Sequence, residues 1–280
     1  MSIPRRVVAV IGSGGMGIAS ARRLAGGRRV LFADYSQASL DFAAKSLRDD
    51  GHEVETHIID VANFESVQKF ATAVANAGHI DAIVHTAGLS PAMAPSNRIF
   101  DVDLLGTANV IEAFQEVVTA GSSMVCIASI ARFGAAASPE LTAHFANAPL
   151  DQLLTNKELL DIDTIQPEKA YALSKCANLA RVQAAARAWA AKGARINTIS
   201  PGVVLTAMVR KELESAHGAI IKGMIQATPM QRGGTADEMA SVIAFLTGPD
   251  ASFITGQDIT IDGGFIAGSQ SFFAAQAKAA

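Results

Sequence analysis

The chain has 280 residues, 50% of them hydrophobic and 18% charged, with 23 Lys and Arg against 26 Asp and Glu for a net charge of −3. That length suits one large α/β domain. The mild acidity argues against nucleic acid, because no basic stripe is available to displace counterions from phosphates.

No apolar stretch approaches the ~20 residues of a membrane span. Met1 to Arg6 lead straight into an apolar strand, so this end reads as neither a signal nor a transit peptide. Cys126 and Cys176 read as reduced core residues, consistent with a cytoplasmic setting.

In chain order, apolar runs predict strands at Val7–Ile11, Val30–Ala33, Val54–Ile59, Ala82–His85, Met124–Ala128, Ala194–Ile199 and Asp258–Ile261. Helical patterns fall between them near Ile18–Ala25, Ser36–Asp50, Phe64–Asn76, Arg98–Thr119, Lys169–Ala191 and Ala236–Leu246. This alternation predicts one domain over residues 1–280. Its fold class is α/β: a single-domain Rossmann fold, a doubly wound seven-stranded parallel sheet with helices on both faces and ligands at the carboxyl ends of the strands.

Two segments, about 132–168 and 203–233, are too long for ordinary connections and read as insertions above the substrate crevice. The first contains a helical patch at Pro149–Leu160.

Gly12-Ser13-Gly14-Gly15-Met16-Gly17 follows the first strand and opens a helix, the context that a G-x-G-x-x-G loop requires. Gly12 permits the turn, Gly14 lets backbone approach a pyrophosphate and Gly17 lets helix pack on strand, with Ser13 and Met16 completing the cofactor-binding loop. Asp34 ends the second strand 22 residues after Gly12, the offset of the acid that holds an adenosine ribose. A carboxylate there repels a 2′-phosphate, and neither Tyr35 nor Ser36 supplies an arginine to hold one. NAD(H) is therefore expected in preference to NADP(H). Asp60-Val61, at the end of the third strand, either meets the adenine edge or caps the next helix.

Tyr171 and Lys175 stand four positions apart on one face of a predicted helix. A free phenol is a poor proton donor or acceptor at neutral pH, its pKa being ~10. A neighbouring cation favours the phenolate and makes an acid/base catalyst of it.

Gly12–Gly17, Asp34, Asp60, Thr86-Ala87-Gly88, Ser129, Tyr171-x-x-x-Lys175, Asn197–Gly202, Thr206 and Asp262-Gly263-Gly264 together resemble the short-chain dehydrogenase/reductase family, in the family's order, from Val7 to about Phe265. The resemblance implies Tyr171 as acid/base, Lys175 on the nicotinamide ribose and Ser129 on the substrate oxygen. A loop or helix-capping serine is the alternative for Ser129. It also implies that Ala87 and Gly88 pass close to the cofactor and that Pro201, Gly202, Val204 and Thr206 pack at its nicotinamide end.

Three departures stand out. The glycine loop is one residue shorter than T-G-x-x-x-G-x-G, with Ile11 in place of threonine. His85-Thr86-Ala87-Gly88 replaces N-N-A-G. Asp103 takes the position of the asparagine that completes the family's proton relay, and it reads either as catalytic or as a structural or capping residue.

Ser129 and Tyr171 are 42 residues apart, an insertion that resembles the 3α-hydroxysteroid dehydrogenase/carbonyl reductase branch. That branch implies a homo-oligomer, a dimer in preference to a tetramer. Met208, Ile221, Met224, Ile225 and Phe133 suggest an apolar or alicyclic secondary alcohol or ketone, steroid-like ones included, unless they merely pack the mobile segment.

His144, Asp151, Asp161 and Asp163 match no compact metal-ligand pattern, so no metal is expected. The rival readings are a nucleotide-sugar epimerase or dehydratase, disfavoured by the short segment after the last strand, and a catalytically silent NAD-binding regulatory protein. The tail Ile266–Ala280, with Phe272 and Phe273, either covers a neighbouring subunit's site or frays.

Overall fold

The computed structural model describes residues 5–159, 161–214 and 218–268. Within them, β1 (Arg6–Ile11), β2 (Arg29–Asp34), β3 (Val54–Ile58), β4 (His79–His85), β5 (Ser123–Ile127), β6 (Arg195–Pro201) and β7 (Asp258–Ile261) form a seven-stranded sheet. The order is β3-β2-β1-β4-β5-β6-β7 and every pairing is parallel. Strands such as Val7-Val8-Ala9-Val10-Ile11 are fully buried because helices cover both faces, which is why they read as unbroken apolar runs.

One face carries α1 (Gly15–Leu24), α2 (Gln37–Asp49) and α10 (Ala236–Thr247), which bury Leu24, Leu40, Leu47, Met239 and Ile243 against it. The other carries α3 (Phe64–Ala77), α5 (Gly106–Val117) and α7 (Pro167–Ala191), contributing Phe70, Phe114, Val182 and Trp189. Chain direction across the sheet reverses at β1, whose neighbours are β2 and β4. Loops after β1 and β4 therefore meet at one carboxyl edge, with Thr86 and Ala87 amides donating to the Ile11 carbonyl at 2.7 and 3.0 Å.

The predicted helix Arg98–Thr119 is in fact three continuous pieces: α4 (Ser96–Ile99), a π turn over Phe100–Leu105, and α5. Such a wide turn recurs at functional sites, and this one holds Asp103.

The 132–168 segment departs from expectation in two ways. Its α-helix is α6 (Pro139–Asn147), while Leu150–Gln152 and Lys157–Leu159 are only 3-10 turns. Ser138 accepts from the Leu141 amide at 2.9 Å and Pro139 takes the first helical turn, a start signal that the 149–160 stretch lacks. The predicted end of that patch, Leu160, lies outside the described residues.

Of the described residues of this segment, Glu168 alone lines the crevice pocket. The segment's apolar residues Leu141, Phe145, Leu153 and Leu159 pack against Phe100, Leu104, Leu173 and Ala177, so it lies against α7 and the π turn. Buried Arg181 of α7 fastens it, donating to the Ala148 carbonyl at 2.8 Å and pairing with Glu112 of α5. The 203–233 segment supplies α8 (Ala207–Leu213) and α9 (Gly218–Ala227) and does face the crevice. Phe272 and Phe273 lie outside the described residues.

Candidate active site

The glycine loop is shaped by close approach. Gly12 adopts φ 100°, and a Cβ there would sit 2.5 Å from the Ala87 amide nitrogen. A Cβ on Gly17 would lie 1.9 Å from the Gly12 carbonyl oxygen, so only glycine lets α1 start this close to β1. Gly14 is different: nothing lies within 4 Å of its Cβ direction. It caps α1 with no side-chain hydrogen bond, so the first-turn amides remain available to an anion.

A cleft of about 340 Å³ runs past Gly12, Gly14, Asp34, Asp60, Val61, Ala87 and Gly88. Asp34 stands at its edge with its carboxylate fixed by three donors. Oδ2 accepts from the Ser13 amide at 2.7 Å and hydroxyl at 2.8 Å, and Oδ1 accepts from the Ser36 amide at 2.9 Å. Ser13 is thus buried beneath Asp34 and acts through it. Asp60 does not cap the next helix, since Asn63 accepts from the Ser66 amide at 3.0 Å as the N-cap of α3; Asp60 Oδ1 accepts from the Ala62 amide at 2.9 Å and the residue lines the cleft.

A second pocket, also about 340 Å³, adjoins the first. Ser129, Tyr171, Pro201, Gly202, Val204 and Thr206 line it, with Met208, Ile220, Ile221 and Met224 from α8 and α9. Met208 borders both spaces.

Met16 lines this second pocket together with Pro201, Gly202, Val204 and Thr206. Two apolar expectations need correction. Phe133 points outward, 47% exposed under the Arg132 guanidinium, and Ile225 does not line the pocket either. Ser90, Glu168 and Glu212 do line it, and sequence spacing gave no sign of them. Ser90 is hydrogen-bonded to Glu212, joining the post-β4 loop to α8.

Ser129 opens a 3-10 turn, Ile130–Gly134, and its hydroxyl accepts from the Ala131 amide at 3.1 Å. Capping and pocket lining coexist in one residue. The turn is anchored from below, where Arg132 donates to Ser200 at 2.9 Å and pairs with Asp258 at 2.8 Å.

Pro167 in the first turn starts α7, and the alanine-rich run that follows carries it for 25 residues. Four residues apart on that helix, Tyr171 stands in the pocket wall and Lys175 is buried, its Nζ 5.2 Å from the tyrosine ring centre and 3.4 Å from the Ile127 carbonyl.

Beneath them lies a buried polar cluster. Lys175 Nζ is 2.9 Å from Asp103 Oδ2, and Asp103 Oδ1 accepts from the Leu89 amide at 2.7 Å. Asp103 is therefore no cap; it sits inside the π turn, which leaves its backbone carbonyl to side chains. Thr107 Oγ1 donates to that carbonyl at 2.8 Å, and the Asn178 carboxamide does so at 2.8 Å when oriented with its nitrogen toward the neighbouring acceptors. Because the Thr107 proton is used there, Thr107 accepts from His85 Nε2 at 3.0 Å, which fixes the imidazole tautomer.

Burial, with Lys175 nearby, pushes His85 down to about 3, so the ring is neutral. Burial also pushes the Cys126 and Cys176 thiols up, which removes the thiolate a reactive cysteine needs. Burial raises the Asp103 carboxyl against the pull of Lys175. For Lys175, burial alone would lower the ammonium, but Asp103, with Tyr171, outweighs it and the net direction is upward.

Among the described residues no group of three or more His, Cys, Asp or Glu is placed to hold a metal ion, and no helix is long and apolar enough to cross a membrane.

A parallel sheet with a glycine loop and an acidic strand end at its reversal point defines a dinucleotide-binding α/β fold. Comparison with known proteins narrows the class. The family model described as Enoyl-(Acyl carrier protein) reductase matches residues 10–150 and 159–266. The chain is 35% identical over 260 residues to the short-chain dehydrogenase/reductase bsc3 of Alternaria brassicicola, covering 92% of this chain and 94% of that one. It is 31% identical over 243 residues to the 3-alpha-hydroxysteroid dehydrogenase/carbonyl reductase of Comamonas testosteroni, covering 79% and 89%. Among solved structures, a short-chain type dehydrogenase/reductase from Mycobacterium ulcerans superposes with a TM-score of 0.75 at 26% identity, covering 95% and 92%. The chain belongs to the short-chain dehydrogenase/reductase family of oxidoreductases, whose members bind a nicotinamide cofactor, NAD or NADP.

Proposed function

We propose that this protein is an NAD(H)-dependent oxidoreductase interconverting a secondary alcohol and a ketone on an apolar or alicyclic substrate, steroid-like ones included. The observation that carries the reading is the position of Tyr171. It shares one pocket wall with Ser129 and one helix face with Lys175, in a pocket that adjoins the glycine-loop cleft. The glycine positions that no side chain could fill and the open α1 amides suit a pyrophosphate, and the fixed Asp34 carboxylate suits ribose hydroxyls.

Bound there, a nicotinamide dinucleotide supplies or accepts the hydride. The chain's own groups handle the oxygen. Ser129 Oγ and the Tyr171 hydroxyl orient it and stabilise charge developing on it. Tyr171 takes its proton in oxidation and returns it in reduction. Lys175 holds positive charge 5.2 Å from the phenol ring centre and would hold the nicotinamide ribose. Met208, Ile220, Ile221 and Met224 exclude water from the reacting carbon and set the apolar preference.

The same reading makes the protein a cytoplasmic homo-oligomer. A dimer is favoured over a tetramer because the insertion occupies the outer side of α7. Tyr171→Phe tests the core of the proposal. It should abolish turnover of cyclic secondary alcohols with NAD⁺ while leaving NADH binding, read by fluorescence, nearly intact. Residual activity above a few per cent of wild type refutes the assignment. Dinucleotide binding by the wild type with no turnover across a broad alcohol panel would instead mark a non-catalytic binding protein.

A further inference from the structure

The buried pair beneath Tyr171 carries a consequence for the direction in which the site works. A lysine beside a phenol promotes ionisation through its positive charge. Here that charge has a partner, since Asp103 Oδ2 lies 2.9 Å from Nζ and both side chains are at most 5% exposed. A pair this deep is poorly screened by water or salt, so the carboxylate field opposes that of the ammonium, which stands 5.2 Å from the Tyr171 ring centre.

Other groups facing the pair do not tip the balance. Tyr171 and Lys175 share α7, Cys126 faces them from β5 as a neutral thiol, and His85 faces them from β4 as a neutral imidazole. Thr107 and Asn178 are uncharged, and both bond the Asp103 backbone carbonyl. Glu168 and Glu212 line the pocket and can add only negative charge. The buried cluster therefore sums to about zero, where an amide at position 103 would leave it at about +1.

The carboxylate is also held in place. Leu89 donates to its other oxygen at 2.7 Å, and a Cβ on Gly88 would come within 3.1 Å of Oδ2 and 3.3 Å of Nζ. Backbone thus closes over the pair and keeps it together.

We propose that Asp103 is an electrostatic counterweight to Lys175, opposing its field at Tyr171 and poising the phenol to give a proton to a carbonyl at neutral pH. This deepens the oxidoreductase reading and rests on it. In the favoured direction the Tyr171 O–H gives its proton to the carbonyl oxygen, while the carbonyl carbon takes hydride from the reduced nicotinamide, which is left oxidised. Asp103 touches neither substrate nor the reacting atoms, so it is a positioning residue.

The test is a pair of pH profiles for the intact protein. In the wild type, reduction of a cyclic ketone should sit on its plateau at neutral pH, while alcohol oxidation runs at less than about one tenth of its alkaline plateau. In Asp103→Asn, the acid limb of oxidation should move to lower pH by about one unit, raising neutral oxidation about tenfold. The alkaline limb of reduction should move the same way.

The chain has two tyrosines. The phenolate absorbance that Tyr171→Phe removes can therefore be followed in both backgrounds, and it should appear at lower pH in Asp103→Asn. Wild-type oxidation already at plateau at neutral pH overturns the proposal, and that measurement does not depend on whether the variant folds. Limbs and phenolate signal unmoved in a folded variant overturn it too. If Tyr171→Phe remains active, the acid/base reading itself fails. If Tyr171→Phe is inactive but Asp103→Asn leaves the profiles in place, only the counterweight fails.

Discussion

Ser13 donates twice to a single carboxylate oxygen of Asp34, from its amide at 2.7 Å and from its hydroxyl at 2.8 Å. The contact locks the glycine loop to the end of β2, so the acid that would read the ribose is fixed before any ligand arrives. Losing a charge-assisted hydrogen bond of ~1.5–3 kcal/mol should raise the KM for NAD⁺ about tenfold to a hundredfold in Asp34→Ala and narrow discrimination against NADP⁺. Ser13→Ala should show the same trend more weakly. Steady-state kinetics with both dinucleotides check this; an unchanged NAD⁺ to NADP⁺ ratio in Asp34→Ala would remove the residue from cofactor selection.

Two glycines of one loop should respond in opposite ways. Gly17→Ala places a methyl 1.9 Å from the Gly12 carbonyl oxygen, forcing α1 away from β1 at a cost of about 1–3 kcal/mol or more. Gly14→Ala meets nothing within 4 Å and should melt within about 1 kcal/mol of wild type while weakening dinucleotide binding. Thermal melting and NADH titration of both variants separate folding from binding.

Acid sensitivity should trace partly to His85. Its folded value lies at about 3, well below the 6.5 of a free imidazole, so the unfolded chain binds the extra proton between those limits. The stability contribution is present in full above about pH 6.5 and is lost as pH falls toward 3, at up to about 1.4 kcal/mol per pH unit. His85→Gln keeps a donor for Thr107 and should flatten the decline in Tm across that window. An equally steep decline in the variant would place the acid sensitivity elsewhere.

Arg181→Met should loosen the insertion without touching the chemistry. It removes the donor to the Ala148 and Phe145 carbonyls and the pair with Glu112, at a cost of about 1–3 kcal/mol, discounted because Glu112 is 39% exposed. Tm should fall and cleavage by protease should rise within residues 135–159, with kcat and KM for the cofactor unchanged. Protection as strong as in wild type would mean that apolar packing alone holds the segment.

The strands were legible because burial on both faces leaves no polar alternation to mislead. β4 began three residues earlier than its apolar run because Asp81, buried and paired with Arg6 at 2.8 Å and Arg28 at 2.5 Å, disguises a strand interior as a loop. Helix α6 escaped notice because it buries only Leu141 and Phe145, too few to set up a visible period, although Ser138-Pro139 marked its start. In the candidate site, the placement of Gly12 and Asp34 on one cleft and of Lys175 by Tyr171 was readable, because loop and helix spacing fix those relations. The 2.9 Å approach of Asp103 to Lys175 was not readable, since it depends on how the π turn and α7 meet in space.

The wide turn over Phe100–Leu105 is in effect a one-residue phase offset between α4 and α5. Removing a residue there would restore a regular helix and rotate everything downstream by about 100°, carrying Thr107 away from His85 and parting Asp103 from its amide and ammonium partners. A change of length in those six residues would therefore cost the site more than a substitution at any one of them.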